Sequence, residues 1–521
     1  MHNIYLLQIK YYIVDKMIFK SVNELSDKTE KRFFLELTEV FTRLIEVYCE
    51  KNNIKNYEDI VLDSDDLKEL KKIGVIKESS EVSDLKKVLK GNYGPFIKAV
   101  KFSKNNQKLV HDTIWKLYNS ERRSIQEKSS KKHDLTLIDF FCGAGGLSLG
   151  FVQEGFNVKL ASDIEDVCIQ TYKYNHPDIP SSRLIKEDIR DFITVIDDYI
   201  HEPIDVVVGG PPCQGFSSAN QQRIIDDPRN ELYKYFLMMI EIIAPKFVVM
   251  ENVKGMLKVA DQVVEDYGAL KIKKDDDIFS YDVDYKILKS REFSVAQNRE
   301  RLIYIAVRSD VSKKLDMNPK DIFEKIEENN VGKREYVLGD ALKDIKSLMA
   351  PRVKNTTNVD SEIYGKKIDV NDFENHENSY LDLINNGHKV PYVFNHKVRY
   401  INDTNYEIYK RLDQGDDSTN EKIKDIMPYS HRNHVFKDKY FKLIANKPCR
   451  TITAHMKFDC HSHIHPYQVR SLTPRESARV QSFPDDYLFL GSYTKTYMQI
   501  GNAVPPLMAR GIAKVIKTFL I

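Results

Sequence analysis

The sequence predicts a doubly wound, mostly parallel α/β domain, with a smaller irregular domain set into its C-terminal half and a helical region in front. Three observations predict it. Short apolar runs alternate with helical patterns between residues 135 and 309. A glycine-rich turn follows the first run. From 310 to 469 the pattern dissolves into Asn-, Asp- and Lys-rich sequence with scattered aromatics, and order returns at 470–521.

The apolar runs are LTLIDFF (135–141), VKLASD (158–163), IDVVVGG (204–210), FVVMEN (247–252) and RLIYIAV (301–307). Apolar at nearly every position and separated by helical stretches, they read as parallel strands covered on both faces. Residues 1–118 form the helical region: Phe33, Phe34, Leu37, Val40, Phe41, Leu44, Ile45 and Tyr48 recur at steps of three and four. No chemistry is visible there. Residues 119–134, polar and basic, read as a linker. The first sixteen residues are apolar but broken by Lys10 and lack a cleavage site, so they are not a signal peptide; Met17 is an alternative start. The C-terminal QIGNAVPPLMARGIAKVIKTFLI reads as an amphipathic helix after a Gly-Asn turn.

The chain has 521 residues, a net charge of +2 and 42% hydrophobic residues. A near-neutral balance leaves a polyanionic partner open, because charge distribution decides that. Six widely spaced cysteines suit free thiols in a reducing cytoplasm, and no run is long enough to span a membrane.

Two places carry chemistry. In IDFFCGAGGLSLGF a strand runs through Gly143, Gly145 and Gly146 into a helix, letting backbone approach a ligand at a helix start. The dinucleotide fingerprint would need glycine where Ser148 stands, which disfavours NAD. Asp163 ends the next strand, about twenty residues on, where such folds grip a ribose, and a further carboxylate, Asp188 in KEDIRDF, lies between the second and third apolar runs. In IDVVVGGPPCQGFS, Cys213 stands just past a strand end behind two stiffening prolines. The next strand ends in Glu251 and Asn252, so a nucleophile and an acid share one cleft. In QNRER, Arg299 and Arg301 alternate into a strand and are expected on one face.

These residues carry a resemblance. DFFCGAGG, GGPPCQGFS, ENVKG, QNRER, RSLTPRESARVQSFPDDY and QIGNAVPP, in that order, are similar to the motifs of DNA cytosine-5 methyltransferases of the bacterial modification type. The resemblance implies an S-adenosylmethionine site lined by Phe141, Gly143, Gly145 and Gly146, with Asp163 at the ribose and Asp188 and Ile189 at the adenine. Pro212 would abut the methionine end, and Asn502 would return from the C-terminus to close the pocket. Cys213 would be the nucleophile, Glu251 would address the target base, and Arg301 with Arg299 its far edge and a phosphate. Residues 310–469 would be the target-recognition domain, with Arg399, Arg432 and Asn433 as candidate base readers. Double-stranded DNA is the implied partner, a cognate restriction endonuclease a possible companion, and a monomer the expected state. One departure is FSVAQ, where the family has glycine and proline before the glutamine; Ser294 and Ala296 are expected to adjust that turn.

The chemistry fits the residues. A thiolate adding at carbon 6 of cytosine makes carbon 5 enamine-like, and a carboxyl group in a desolvated site can donate a proton as charge grows at N3. A base inside a duplex is out of reach, so it must be flipped out. PPCQGFSSAN then reads as a stiff mount followed by a loop that closes, with Asp227, Arg229 and Asn230 at its far end. Rival readings are weaker. A tRNA-methylating relative would carry Cys-Phe-Thr soon after ENV, and this chain has no cysteine between there and Cys449. A degenerate binding module would have lost Cys213 or Glu251, and a small-molecule methyltransferase has no use for so large an extra domain. Cys460, His461, His463 and His465 in CHSHIHP could suggest zinc, but half a ligand set is missing; a polar strand is expected and no metal.

Overall fold

The computed structural model describes residues 19–55, 58–106, 135–212, 231–274, 277–354, 359–373, 375–428 and 439–521. Its centre is one sheet of seven strands. These are β1 (Thr136–Phe140), β2 (Asn157–Asp163), β3 (Leu184–Lys186), β4 (Val206–Gly209), β5 (Phe247–Asn252), β6 (Tyr281–Lys289) and β7 (Glu300–Arg308), in the order β3-β2-β1-β4-β5-β7-β6. The first five pair in parallel.

Neighbouring residues along each central strand serve opposite cores, as period-two geometry requires. Val206 and Val208 of β4 join one cluster and Val207 the other; in β7, Ile303 and Ile305 join the first, Leu302 and Tyr304 the second. The first layer includes the helices Gly146–Gln153 and Pro506–Leu520, the second Glu231–Ile243 and Ala260–Gly268. Burial on both faces is what makes these strands continuously apolar.

Two expectations are corrected here. β7 runs antiparallel to both β5 and β6, although its sequence reads like its parallel neighbours. An apolar run reports burial, not direction; direction is set by the short link through Ser290–Phe293 that folds β7 back along β6. The Gly-Asn pair is also not a turn. Gly501 and Asn502 end the helix Tyr493–Asn502, and the break falls at Ala503–Pro505, with Pro506 at the first turn of the next helix.

Residues 322–342 and 380–384 pack into the central domain, while Leu348, Ala350, Val398, Ile401, Ile408, Tyr440 and Ile464 form a separate core. That lobe grows from a hairpin of Gly365–Val370 and Tyr392–Lys397. In front, the helix Lys28–Lys51 carries all eight periodic residues, and Asp27 caps it by accepting from the Thr29 and Glu30 amides. The N-terminal helices have their own core around Phe19, Phe34, Leu70, Leu85 and Phe96. The linker 119–134 and Met17 lie outside the described residues. Among the described residues no helix is long and apolar enough to cross a membrane.

Candidate active site

A cavity of about 410 Å³ opens at the carboxyl ends of β1, β2, β4 and β5, where open parallel sheets bind ligands. Its floor is the turn after β1. Phe141 takes φ 54°, a left-handed conformation that costs a non-glycine residue about 1–2 kcal/mol. Gly143 (φ 52°) follows; a Cβ there would meet nothing within 4 Å, so its backbone faces open space. Asp163 closes the turn: one carboxylate oxygen accepts the Gly143 amide at 2.8 Å, the other the Glu165 amide at 2.8 Å. Gly146 begins the next helix with its Cα against the Val504 carbonyl oxygen and the Ala503 Cβ, leaving no room for a side chain. Gly145 caps that helix at φ 81° and packs on Tyr172 and Tyr487 instead of lining the cavity.

Asp188 and Ile189 line the far side, with Asp188 accepting from the Arg190 backbone amide at 3.0 Å and pairing with its guanidinium at 2.7 Å. That guanidinium holds the Asp188 carboxyl below the usual range. Gly501, Asn502 and Ala503 complete the wall from the C-terminal part.

Across the cavity, β4 delivers Gly210, Pro211 and Pro212 beside the end of β5. Asn252 donates its side-chain amide to the Pro211 carbonyl at 3.1 Å, so the mount is tied to the strand that carries Glu251. Gly210 lies against the Glu251 carboxylate, 3.0 Å from where a Cβ would stand. Arg301 Nε stands 2.5 Å from Glu251 Oε1, both side chains only slightly exposed. Cys213 itself, with Asp227, Arg229 and Asn230, lies outside the described residues; the described chain enters the cavity at Pro212 and resumes at residue 231.

Arg299 departs from expectation: Arg301 lines the cavity and Arg299 does not. Its buried guanidinium donates to the carbonyls of Ile452 (2.8 Å) and Gly501 (3.1 Å). Alternation fails because Gln297–Asn298 forms a separate parallel pairing with Cys449–Arg450, so the backbone changes partner between 298 and 300. Burial and then the charge of Arg301 push the Arg299 pKa well down, with Glu251 opposing. At the departure from the family pattern, Ser294 takes φ 62°, the conformation glycine would provide, and its hydroxyl donates to the Arg334 carbonyl at 2.8 Å.

Sequence reasoning missed Asp139. It is 1% exposed, lines the cavity, and its Oδ2 has no partner. Burial, with the charge of Asp163 adding and a Ser148 hydrogen bond opposing, pushes its carboxyl up to about 8. An acid inside an otherwise apolar strand was the available signal. Arg399 is not free to read bases: it donates to the carbonyls of Met456 (2.9 Å) and Phe458 (2.6 Å), while Arg432 and Asn433 lie outside the described residues. The CHSHIHP segment is a 3-10 turn at His461–His463, not a strand. Its histidines diverge to Tyr409, Thr451 and the amides of residues 467 and 468, and among the described residues no cluster suits a metal.

The model of the C-5 cytosine-specific DNA methylase family matches residues 135–518. The chain belongs to this family. It is therefore a DNA cytosine-5 methyltransferase, of a family that uses S-adenosylmethionine. It is 32% identical over 395 residues to the type II methyltransferase M1.HphI of Haemophilus parahaemolyticus, covering 73% of this chain and 86% of that protein. It is 31% identical over 435 residues to M.AgeI of Thalassovita gelatinovora, covering 73% and 98%. Among solved structures, an E. coli prophage protein described as a DNA modification methyltransferase shares the fold at 24% identity. Its TM-score is 0.54, covering 74% of this chain and 99% of that one.

Proposed function

We propose that this methyltransferase modifies a cytosine flipped out of a specific duplex sequence, through a covalent adduct with Cys213. The observation that carries it is the joint between Pro211 and Asn252, which holds the residues just before Cys213 beside Glu251 and Arg301 at one end of the cavity.

The cavity's other end suits S-adenosylmethionine. Open space above Gly143, the start of the helix at Gly146 and the unpartnered oxygens of Asp139 and Gln499 provide backbone approach and polar anchors. Asp163, fixed at the end of β2 by its grip on the glycine turn, would hold the ribose, and its place on the cavity wall supports that reading. When bound, the cofactor supplies an electrophilic methyl group on a sulfonium. The protein's residues do the rest. Cys213, as a thiolate, adds to carbon 6 of the cytosine and breaks its aromaticity. Glu251 donates toward N3, and Arg301 keeps that carboxyl oriented, so the charge that develops meets a preset partner. Once carbon 5 carries the methyl group, a base takes its proton, the carbon 6–sulfur bond breaks to release Cys213 as thiolate, and N3 gives its proton back as the ring regains aromaticity.

The lobe built around residues 348–464 supports reading it as the target-recognition domain, since irregular loops on a rigid stem are where base contacts concentrate. Its relatives' designation as type II methyltransferases supports a role beside an endonuclease that reads the same site. Duplex DNA carrying 5-fluorocytosine at the target tests the chemistry. The wild type is expected to form a denaturation-resistant adduct and Cys213→Ala none, with S-adenosylhomocysteine binding retained. An adduct in Cys213→Ala removes the assignment.

A further inference from the structure

The N-terminal helix Lys28–Lys51 lies outside the family match, yet it is not an appendage. One side joins the N-terminal core through Phe34, with Leu37 and Phe41 packed on it. The other side carries Phe33, Val40, Leu44 and Ile45 into a cluster with Val167, Cys168, Leu488, Leu490 and Met498 of the catalytic domain, and Ile368, Tyr392 and Phe394 of the hairpin. Cys168 and Met498 also line the cavity. One hydrophobic layer therefore separates this helix from the candidate cofactor site.

At its centre is Glu36, 8% exposed. Its two carboxylate oxygens accept the Gly491 amide at 2.9 and 3.0 Å, and it pairs with Lys367 of the hairpin. A buried carboxylate is tolerated only when paired and hydrogen-bonded, and here the partners come from two different parts of the protein. Gly491 (φ 96°) is pressed against Val167, where no side chain would fit. Val167 sits in the first turn of the helix Asp166–Asn175, which leaves directly from the Asp163 strand end. Lys495, in the first turn of the next helix, pairs at 2.8 Å with Glu165 on the cavity wall. Further along the N-terminal helix, Arg43 donates to the Ile368 carbonyl (3.2 Å) and Lys51 to the Asn371 carbonyl (3.3 Å), following the hairpin strand. That hairpin is the stem of the lobe, since Tyr392–Lys397 runs straight into Val398 and Ile401 of its core.

We propose that the N-terminal helix is a working part of this enzyme, with Glu36 a positioning residue. Through the Gly491 amide it holds the ribose-side wall, and through Lys367 it holds the stem of the DNA-reading lobe. This rests on reading the cavity as the cofactor site and the lobe as the recognition domain.

The test uses the full chain, with S-adenosylhomocysteine affinity by calorimetry and steady-state kinetics on duplex DNA. Glu36→Ala is expected to weaken S-adenosylhomocysteine about tenfold, the scale of one lost charge-assisted hydrogen bond. Glu36→Gln keeps an acceptor for Gly491 and should restore that affinity. It should share with Lys367→Met a severalfold higher KM for DNA at little-changed kcat. Wild-type affinity and wild-type KM in all three variants would reduce the helix to packing and overturn the proposal. If Glu36→Ala does not fold, Glu36→Gln and Lys367→Met decide it through KM for DNA. A wild-type protein that fails to bind S-adenosylhomocysteine would instead overturn the cofactor reading.

Discussion

Gly146→Ala asks whether the cavity is held shut from its C-terminal side. The new Cβ would run into the Val504 carbonyl oxygen, and would stand 3.0 Å from the Ala503 Cβ and 3.2 Å from the Phe483 ring. The closest of these obstacles is backbone and cannot swing aside. Residues 503–504 or the helix start must therefore move, and both line the cavity. Overpacking a filled site costs about 1–3 kcal/mol, and an unyielding neighbour argues for the upper end. Taken from binding at about 1.4 kcal/mol per tenfold, that weakens S-adenosylhomocysteine by roughly a hundredfold. Gly143→Ala is the control. Its Cβ meets no protein atom within 4 Å, so folding is charged mainly the left-handed backbone penalty of about 1–2 kcal/mol, while any loss of S-adenosylhomocysteine binding reports a Cβ entering the ligand's space and not a shifted wall. Calorimetric titration and thermal melts of both variants check this. If Gly146→Ala binds within twofold of wild type at an unchanged melting temperature, the packing argument is wrong.

Glu251→Gln should lower kcat by about a hundredfold or more, the usual loss when one well-placed transition-state partner goes, while filter-binding of DNA stays near wild type; near-normal turnover would mean another group protonates the ring. Asp139 predicts a pH dependence. Its carboxyl titrates near 8 when folded and near 3.8 ordinarily, so below about pH 4 both states are protonated and folding bears no penalty. As pH rises to about 8 the unfolded chain releases a proton the folded one keeps, and stability falls by up to roughly a few kcal/mol. Asp139→Asn, compared with wild type by denaturant melts, should gain on it at pH 8 and not at pH 4; equal gains at both would contradict a protonated buried acid.

The sheet was legible because burial on both faces writes an unmistakable apolar run into β1, β2, β4, β5 and β7. The strands missed were those that write none: β3 has three residues, and β6 is mostly half-exposed at the sheet edge. Direction was illegible, since antiparallel β7 packs between two cores like its parallel neighbours. At the site, strand ends and glycines announced themselves through local chemistry. Arg299 did not, because its partners at Ile452 and Gly501 lie more than 150 residues away in sequence. The same distance hid Glu36, whose role is visible only once Gly491 and Lys367 are brought beside it.

The return of residues 498–504 to the turn after β1 also has a consequence for the order of synthesis. The site's first wall leaves the ribosome at residue 139 and its last near 504, and the helix Pro506–Leu520 that backs Gly150 comes later still. At about 5–20 residues per second the glycine turn waits tens of seconds for its cover. A nascent chain lacks the cavity's last wall until residue 504 has been made, so a product stalled before that point has only part of the cavity's lining.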